Sequence, residues 1–382
     1  MHFAVDAHTI GRRLTGNEVY IRNLLEGFAA VDSGVCITAY YSVPEAVERI
    51  PPGFRKRRVS ANPFLRLGAD LSWKLRADRP DLVHVQYTAP IACPTPIVVS
   101  VHDVSFLDRP DFFAPPRAWQ LAFTVERTVR RAVRVLTVSE YSQRCIMRAY
   151  GLDQSKVRVV PNGVSPMFRP APRQSALERL RMRFHLPDKF LLCVGDLLPR
   201  KNQIGLIAAF RELLGTVPGL PHHLVFAGKD TWFGPRVREA ARANGTAERI
   251  HFLGFVTDDE LIDLYNGCEV FVFPSFYEGF GLPILEAMAC GCPVACSNTT
   301  AMPEVADATA ILFDPNSLAE MTLALRDLVV DGELRTRMER LGLQRASQFS
   351  WSNAARRTLG VYHEVTGEPR RLQARAASVG RP

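Results

Sequence analysis

Two glutamates that lie eight positions apart are the strongest candidates for chemistry in this sequence. Glu278 is in a loop with two glycines, and Glu286 is one turn into a predicted helix that follows the loop. The loop comes after residues 270–273, an apolar run that predicts a strand buried on both faces. A strand, a glycine loop and a helix N-terminus together can bind an anion or a polyol. The spacing alone is also compatible with a surface loop and a helix that each carry one acidic residue.

Two adjacent cations form a second candidate. Arg200 and Lys201 stand between a predicted strand, 190–194, and a helix predicted over 203–214. Cations at the start of a helix can neutralise two phosphates, and the N–H groups of the first turn assist them. The alternative is a pair of solvated charges that bind no ligand. The pattern favours a phosphate site.

A histidine follows another predicted strand. His102 comes directly after the apolar run 97–101, at the carboxyl end where open α/β sheets bind their ligands. A lone histidine in this position is also compatible with a structural role, and Asp103 beside it is compatible with helix capping. The role of His102 therefore depends on its surroundings.

The order of strands and helices predicts a doubly wound α/β fold. The chain has 382 residues, which is too long for one ordinary core and indicates two domains. Each half alternates apolar strands with helices, as in Rossmann-like domains with parallel sheets. A sharp turn at 161–164 precedes the boundary, since its asparagine and glycine tolerate positive φ. The predicted parts are an N-terminal domain, 1–167; a C-terminal domain, 168–350; a last helix, 351–367; and a disordered basic tail, 368–382.

The net charge of +8 lies mostly in the first 165 residues. Basic and aromatic side chains alternate over 54–76, which suits a helix on an anionic membrane; an ordinary amphipathic helix beside a basic strand is the alternative. Nucleic acid is not expected as a partner, because no zinc finger, RNP-type or helix-turn-helix motif occurs. The sequence contains no apolar run of the roughly 20 residues that a membrane span needs. It also lacks a secretory signal, so we expect a cytoplasmic protein, with peripheral contact at the inner face of the membrane as an option.

Two sets of residues that could suggest metal or redox sites have simpler interpretations. The eight cysteines, Cys36 among them, lie mostly in apolar surroundings and are predicted to be reduced and buried. Cys290 and Cys292 lack the two-residue spacing of metal or redox pairs, so core packing is favoured. The acidic run 258–260 is better explained as negative charge at the start of a helix.

The segment EGFGLPILEAMACGCPV, which contains both glutamates, resembles the E-x7-E signature of retaining glycosyltransferases of family 4, which have the GT-B fold. Three more segments are similar to the family: TGNEVYIRNLL near the N-terminus, VHD around His102, and VSEYSQR after it. The resemblance extends over about residues 5–365. It implies two Rossmann-like domains that face one cleft. The acceptor would bind to the first domain and the nucleotide sugar to the second, and the last helix would cross back to the first.

The resemblance assigns the charged residues to the donor. Glu286 would accept hydrogen bonds from both ribose hydroxyls, and Glu278 would bind hydroxyls of the donor sugar. Arg200 and Lys201 would stabilise the diphosphate as negative charge develops on it. Asp196 stands where the family commonly has an arginine, and Arg200 would supply that second charge.

Further residues are implied to contact the donor. His102 would contact the sugar, often at its 6-hydroxyl. The other implied donor-binding residues belong to glycine-containing loops: Gly279, Phe280 and Gly281 beside the sugar, Gly16 beside the diphosphate, and Gly254 at the edge of the base. Glu18 stands where the family's N-terminal glycine loop often has a second glycine.

The implied reaction is transfer of a hexose with retention of anomeric configuration. The acceptor would attack from the face that the diphosphate leaves, and the leaving phosphate would take its proton; Glu278 as a nucleophile is the variant. The nucleotide-diphosphate sugar is a co-substrate and no cofactor is expected. No Asp-x-Asp motif stands at a strand end, so no essential metal is predicted. Acceptor contacts are expected from residues 60–150.

The segments TGNEVYIRNLL and PRKN are most similar to bacterial enzymes that use GDP-mannose for polysaccharide or O-antigen assembly. Mannose transfer to a glycan or lipid-linked acceptor is therefore the hypothesis, and UDP-sugars or dTDP-sugars as donors for glucosyl, N-acetylglucosaminyl or rhamnosyl transfer remain alternatives. Phosphorolysis on the same fold is a rival, but no pyridoxal-type lysine context supports it. An inactive sugar-nucleotide sensor is a rival of another class, and the intact glutamates and cations argue against it.

Overall fold

The computed structural model describes residues 1–12, 15–31, 34–243 and 246–367. The chain divides into two compact units. The first runs from Met1 to Gly163 and includes the described residues 350–367, and the second runs from Val164 to Phe349. The division falls inside the turn predicted at 161–164, earlier than the position near 168 that the sequence suggested. The tail predicted as disordered lies outside the described residues.

The first unit is built on a parallel sheet. Its described strands are β1 (His2–Asp6), β2 (Cys36–Tyr41), β3 (Arg55–Arg58), β4 (Leu82–Gln86), β5 (Ile97–Ser100), β6 (Arg134–Thr137) and β7 (Val157–Val159). They lie in the order β3-β2-β1-β4-β5-β6-β7. Strands β4 and β5 are buried along their whole length, as expected when helices cover both faces. Because β1 pairs with β2 on one side and with β4 on the other, the topological switch point lies between β1 and β4.

Helices connect these strands. They are α1 (Thr15–Ala30), α2 (Pro63–Leu65), α3 (Leu71–Asp78), α4 (Ser105–Asp108), α5 (Pro115–Arg131) and α6 (Glu140–Tyr150). The start of α6 is encoded locally, because the Ser139 hydroxyl accepts a hydrogen bond from the Ser142 N–H at 3.1 Å. This side-chain cap satisfies one of the free N–H groups of the first turn.

The basic and aromatic segment 54–76 is not a single helix, which corrects the interfacial-helix prediction. Arg55–Arg58 form the edge strand β3. Helix α2, a π-helical turn at Arg66–Asp70 and helix α3 follow. Successive side chains of a strand point to opposite faces, and a charged edge strand resists pairing with further strands. The alternative, a basic strand beside a helical segment, is the arrangement found.

The second unit has its own parallel sheet. Its described strands are β8 (Phe190–Val194), β9 (His223–Ala227), β10 (Ile250–Gly254), β11 (Val270–Phe273), β12 (Val294–Ser297) and β13 (Ile311–Phe313). They lie in the order β10-β9-β8-β11-β12-β13. Since β8 pairs with β9 on one side and with β11 on the other, the switch point of this sheet lies between β8 and β11.

The helices of the second unit are α7 (Arg173–Phe184), α8 (Gln203–Thr216), α9 (Gly234–Arg242), α10 (Asp258–Gly267), α11 (Leu282–Ala289), α12 (Met302–Ala306), α13 (Leu318–Val330) and α14 (Gly332–Ala346). Helix α10 begins with a capping box: Thr257 Oγ1 accepts the Glu260 N–H at 3.3 Å, and Glu260 Oε2 accepts the Thr257 N–H at 2.8 Å. The acidic run at 258–260 is therefore a helix start, as predicted. Within the described ranges, no helix is long and apolar enough to span a membrane.

The last helix, α15 (Trp351–Thr366), packs on α1 within the first unit. The Tyr362 hydroxyl lies 2.6 Å from His84 Nδ1, and His84 Nε2 lies 2.7 Å from Ser100 Oγ. Burial lowers the pKa of His84 to about 3, so its imidazole is neutral and bridges the two hydroxyls. This hydrogen-bond chain ties α15 to the central strands β4 and β5.

The eight cysteines, all of which lie in described ranges, are free thiols. Cys36 and Cys93 are half-buried and the other six are buried, so the prediction of burial is wrong for Cys36 and Cys93. Cys290 and Cys292 pack in the interior of the second unit, as predicted.

Candidate functional site

The carboxyl ends of β8 and β11 bring the predicted charged residues of the second unit together. The turn after β8 carries Arg200 and Lys201, and the loop after β11 carries Glu278. The two strands are hydrogen-bonded neighbours, and parallel strands end at the same edge of their sheet. Segments that are 78 residues apart in sequence therefore meet at the switch point.

Glu278 forms a compact ionic cluster with both cations. Its Oε1 accepts a hydrogen bond from Arg200 Nη1 at 2.6 Å and lies 2.7 Å from Lys201 Nζ. Lys201 is 8% exposed and Glu278 is 9% exposed. Burial by itself would raise the pKa of Glu278, but the charges of Arg200 and Lys201 outweigh it and lower that pKa to about 2. Burial also lowers the pKa of Lys201, against the opposing effect of Glu278. The carboxylate is ionised throughout the physiological pH range.

Backbone contacts fix the glycine loop to the turn after β8. The Phe276 N–H donates to the Arg200 carbonyl at 2.8 Å, and Arg200 Nη1 donates to the Tyr277 carbonyl at 3.3 Å. The Glu278 N–H donates to Thr300 Oγ1 at 3.1 Å. Thr300 has φ +57°, a left-handed conformation that is rare for a β-branched residue. Such strain concentrates at binding and catalytic sites, and the contact with Glu278 adds Thr300 to the candidate site.

Packing beneath the cluster orients Lys201. Its Nζ lies 4.5 Å from the centre of the Phe273 ring, which is a cation–π contact. Gly195 has φ +147°, and a Cβ there would lie 3.0 Å from Lys201 Cε. Gly228 packs directly on Gly195, because a Cβ on Gly228 would lie 2.1 Å from the Gly195 carbonyl oxygen. Larger residues at these two positions would displace the ends of β8 and β9 and, with them, the lysine.

Glu286 lies in α11 and is also buried. Its Oε2 accepts a hydrogen bond from the Tyr265 hydroxyl at 3.0 Å. Burial and the negative charge of Glu286 raise the pKa of Tyr265, so the phenol remains a donor. Gly281, which precedes α11, has φ +97° and lets the loop enter the helix in a left-handed conformation. Tyr265 was not identified from sequence, because nothing local links a tyrosine on α10 to a glutamate on α11.

Phe280 and Gly254 were also predicted to bind the donor, and neither side chain nor backbone of these two residues contacts Arg200 or Lys201 in the hydrogen bonds described. The side chain of Phe280 is buried, with its ring centre 6.0 Å from that of Phe349. Gly254 lies at the end of β10, two strands away from β8, where its carbonyl accepts the Gly228 N–H at 2.8 Å. The glycines on either side of Phe280 share the loop of Glu278. The structure therefore groups this loop with the cations and leaves Gly254 at the outer strand.

In the first unit, His102 follows β5 and has polar and aromatic neighbours. Its Nε2 lies 3.2 Å from Gln86 Oε1, and because that amide oxygen accepts, Nε2 carries the proton and Nδ1 is the acceptor. The rings of Tyr20 and Tyr87 approach edge-on, with centres at 4.5 and 5.6 Å. Burial lowers the pKa of His102 to about 4, so the imidazole is neutral at physiological pH. A neutral, oriented imidazole can exchange hydrogen bonds with a sugar hydroxyl.

Gln86 orients this histidine and was missed in the sequence. It is the last residue of β4, at the switch point of the first sheet. Its amide nitrogen donates to the Asn17 carbonyl at 3.2 Å and to Thr9 Oγ1 at 3.4 Å. These contacts fix which end of the amide faces His102.

Gly16 and Asp103, two further residues of the first unit that the sequence singled out, have no contact with His102 or Gln86 among the hydrogen bonds described. Gly16 is exposed in α1, and a Cβ there would have no neighbour within 4 Å. Asp103 Oδ1 accepts hydrogen bonds from the Ser105 N–H at 2.9 Å and from the Ser105 hydroxyl at 2.6 Å. This closes a local turn at the start of α4, whose N-cap residue is Val104 without a side-chain cap, so Asp103 has a structural role but is not the N-cap that was considered.

Two acidic residues that depart from the family pattern have structural partners. Asp196 Oδ1 accepts the Lys229 N–H at 3.0 Å. Glu18 Oε1 accepts the Gly11 N–H at 2.9 Å and pairs with Arg49 at 2.9 Å. Each acid therefore stabilises a turn beyond the carboxyl ends of the strands in its own unit.

Two family models match the chain, one in each half. Glycosyltransferase Family 4 matches residues 14–168, and Glycosyl transferases group 1 matches residues 178–345. The O-antigen chain mannosyltransferase B of Escherichia coli is 31% identical, over 69% of this chain and 69% of that protein. The chain belongs to glycosyltransferase family 4. The family predicted from the glutamate motif is thereby confirmed, and the protein is a glycosyltransferase.

Other relatives of this glycosyltransferase differ in what their names say they act on. The D-inositol 3-phosphate glycosyltransferase of Streptomyces bingchenggensis is 30% identical, over 94% of this chain and 86% of that protein. The serotype-specific mannosyltransferase WbdA of Escherichia coli is 28% identical over 72% of this chain. The glycosyltransferase spans only 36% of the length of WbdA.

Solved structures show the fold of the glycosyltransferase. Sucrose-phosphate synthase from Thermosynechococcus elongatus has a TM-score of 0.77 at 20% identity, over 96% of this chain and 99% of that one. HepE from Anabaena in complex with UDP-glucose has a TM-score of 0.74 at 19% identity, over 95% and 99%. The glycosyltransferase therefore has the predicted GT-B fold of two Rossmann-like domains.

Proposed function

We propose that the protein is a retaining mannosyltransferase that moves mannose from GDP-mannose to a glycan or lipid-linked acceptor in polysaccharide assembly. Transfer of a sugar follows from the family. The choice of mannose is supported by the similarity to the O-antigen chain mannosyltransferase B. The observation that carries the donor site is the cluster of Arg200, Lys201 and Glu278 at the switch point of the second sheet, where doubly wound sheets bind nucleotides.

The two cations would receive the diphosphate of the donor. Arg200 and Lys201 are adjacent, and Lys201 is buried against Phe273. A positive charge held in a dry site needs little reorganisation when negative charge develops on a leaving group. The diphosphate oxygens and the Glu278 carboxylate would share these cations.

The two glutamates and the histidine would bind the rest of the donor. Glu286 would accept hydrogen bonds from the ribose hydroxyls, with Tyr265 holding one of its oxygens in place. Glu278 would bind hydroxyls of the sugar, beside the backbone of Gly279 and Gly281. His102 would contact the sugar through its neutral imidazole.

Retention would result from attack on the same face that the diphosphate leaves. The bond from the anomeric carbon to the phosphate oxygen would break as the bond to the acceptor oxygen forms. The acceptor proton would pass to the departing phosphate oxygen, whose charge Arg200 and Lys201 stabilise. An alternative mechanism uses Glu278 as a nucleophile. Nuclear magnetic resonance of the product would establish whether the anomeric configuration is retained.

No metal or cofactor is needed in this scheme, because protein cations carry out the charge stabilisation. Activity that is unchanged after treatment with a chelator would support it. Loss of activity with the chelator, and recovery with a divalent cation, would contradict it. A cytoplasmic location is part of the proposal, since nucleotide sugars are the expected donors.

A UDP-sugar is the second candidate donor. It is favoured by the similarity in fold to HepE, which was solved with UDP-glucose. The relatives named D-inositol 3-phosphate glycosyltransferase make an inositol phosphate a second candidate acceptor.

A thermal-shift panel without metal distinguishes these donors. GDP-, UDP-, dTDP- and ADP-sugars would be tested on the wild type, on Glu286→Ala, and on Glu339→Ala, which removes an exposed glutamate on α14. A ligand at about a hundred times its Kd stabilises its unit by roughly 2.7 kcal/mol. We expect a shift with GDP-mannose that Glu286→Ala abolishes and Glu339→Ala preserves. A shift with UDP-sugars alone would replace the proposed donor, and no shift with any sugar nucleotide would contradict donor binding.

A further inference from the structure

Large apolar side chains are exposed on one part of the first unit. They come from three segments that are far apart in sequence, and their exposed fractions run from 61% to 82%. We call these residues the aromatic face: Phe64, Leu65, Ile91, Trp119 and Phe123. A soluble surface rarely exposes so many large apolar groups together unless it contacts something.

Hydrogen bonds join the three segments into one surface. The Ile91 N–H donates to the Leu67 carbonyl at 2.8 Å, which places the 91 loop beside the segment that carries Phe64. Arg127 and Arg131 of α5 donate to the Ile91 carbonyl at 2.6 and 2.9 Å. Trp119, Phe123 and Arg127 are four residues apart and therefore lie along one line of α5.

The charge around the aromatic face is positive. Helix α5 carries four arginines and one acidic residue, Glu126, which is paired with Arg130 at 2.7 Å. The edge strand β3, which precedes the segment of Phe64 in sequence, has four consecutive basic residues, three of them exposed. Exposed aromatic and aliphatic groups with arginines on the same helix are typical of surfaces that lie in the headgroup layer of an anionic bilayer.

We propose that the aromatic face docks the protein on an anionic lipid bilayer. The apolar side chains would enter the boundary between headgroups and acyl chains, and the arginines would bind lipid phosphates. Because α5 follows β5 and runs antiparallel to it, Trp119 and Phe123 lie in the half of α5 nearer the strand end that carries His102. Docking would hold that edge near the membrane. Docking on a bilayer does not depend on which sugar nucleotide is the donor. The surface includes α5 and the 91 loop as well as the segment 54–76.

Vesicle partitioning tests the proposal directly. The full chain would be sedimented with vesicles of phosphatidylcholine alone or of equimolar phosphatidylcholine and phosphatidylglycerol, without donor. We expect binding to the anionic vesicles only, weakened by salt, and at least about tenfold weaker partitioning for the double variant Trp119→Ser/Phe123→Ser. The matched control is Trp232→Ser, which removes a tryptophan that is 63% exposed in the second unit. It should bind as the wild type does.

A second measurement stays informative if the double variant folds poorly. Trp119→Phe and Trp232→Phe both keep an aromatic group. Brominated lipids should quench the fluorescence of the wild type and of Trp232→Phe, and quench Trp119→Phe less. The proposal is wrong if the wild type does not bind anionic vesicles at low salt, or if Trp119→Phe is quenched like the wild type. It is also wrong if light scattering shows that the aromatic face joins two copies of the chain in place of vesicle binding.

Discussion

Lys201 and Glu278 form an ion pair of 2.7 Å in which each side chain is about nine-tenths buried. Desolvation of both charges opposes such a pair, and only close contact and further hydrogen bonds offset it. Arg200 provides the additional contact at 2.6 Å. The cluster is therefore expected to affect stability as well as donor binding, and the two effects can be measured separately.

Replacing Glu278 with glutamine should lower both turnover and stability. The substitution leaves Lys201 buried without its partner, so we expect the free energy of unfolding to fall by about 3 kcal/mol. The rate constant kcat should fall far more than the affinity for GDP, because the carboxylate is assigned to the sugar and not to the nucleotide. Urea denaturation, calorimetric titration with GDP and steady-state kinetics provide the three values. Glu339→Gln serves as the control, and unchanged turnover in Glu278→Gln would show that its assigned role is wrong.

Replacing Lys201 with methionine should weaken binding of the diphosphate selectively. A hydrogen bond to a charged group contributes about 1.5–3 kcal/mol, so the affinity for GDP should fall roughly tenfold to a hundredfold. The affinity for guanosine, which has no phosphate, should stay the same. Lys189→Met is the matched control, because Lys189 precedes the same strand at its opposite end. Equal losses for GDP and guanosine would indicate that Lys201 acts on the structure of the site alone.

Replacing Glu286 with glutamine should act through the ribose. We expect roughly tenfold weaker binding of GDP and little change for 2′,3′-dideoxy-GDP, since that ligand lacks the hydroxyls assigned to Glu286. Tyr265→Phe removes the hydrogen bond of 3.0 Å to the carboxylate and should cause a smaller loss with the same ligand dependence. Equal effects of Glu286→Gln on both nucleotides would contradict the ribose assignment.

The stability of the first unit should fall as the pH decreases below about 6.5. Burial lowers the pKa of His84 to about 3 and that of His102 to about 4, whereas an unfolded histidine titrates near 6.5. Between these values the unfolded chain binds more protons than the folded one, so acid favours unfolding. Each histidine should reduce the free energy of unfolding by about 2 kcal/mol between pH 7.5 and pH 5. Urea midpoints of the wild type and His102→Gln test this: the variant should show a shallower pH dependence, and His185→Gln, at an exposed position of the second unit, should not.

The sequence by itself determined the features that depend on local interactions. Apolar strands alternating with helices predicted both parallel sheets, because a strand covered on both faces must be apolar along its length. The caps at Ser139 and Thr257 were predictable since donor and acceptor lie within three residues. The loop position of Glu278 and the helical position of Glu286 followed from the intervening glycines and proline.

Only the tertiary structure decided which distant groups meet. The order of strands around β8 pairs Glu278 with Lys201, and the packing of α10 on α11 gives Glu286 its tyrosine partner. The same holds for Gln86 beside His102 and for the aromatic face, where exposure depends on what the rest of the chain leaves uncovered. The basic run at 55–58 was predicted as part of an interfacial surface helix but is an edge strand. Pairing with β2 supplies its backbone hydrogen bonds, and no pattern within four residues encodes that partner.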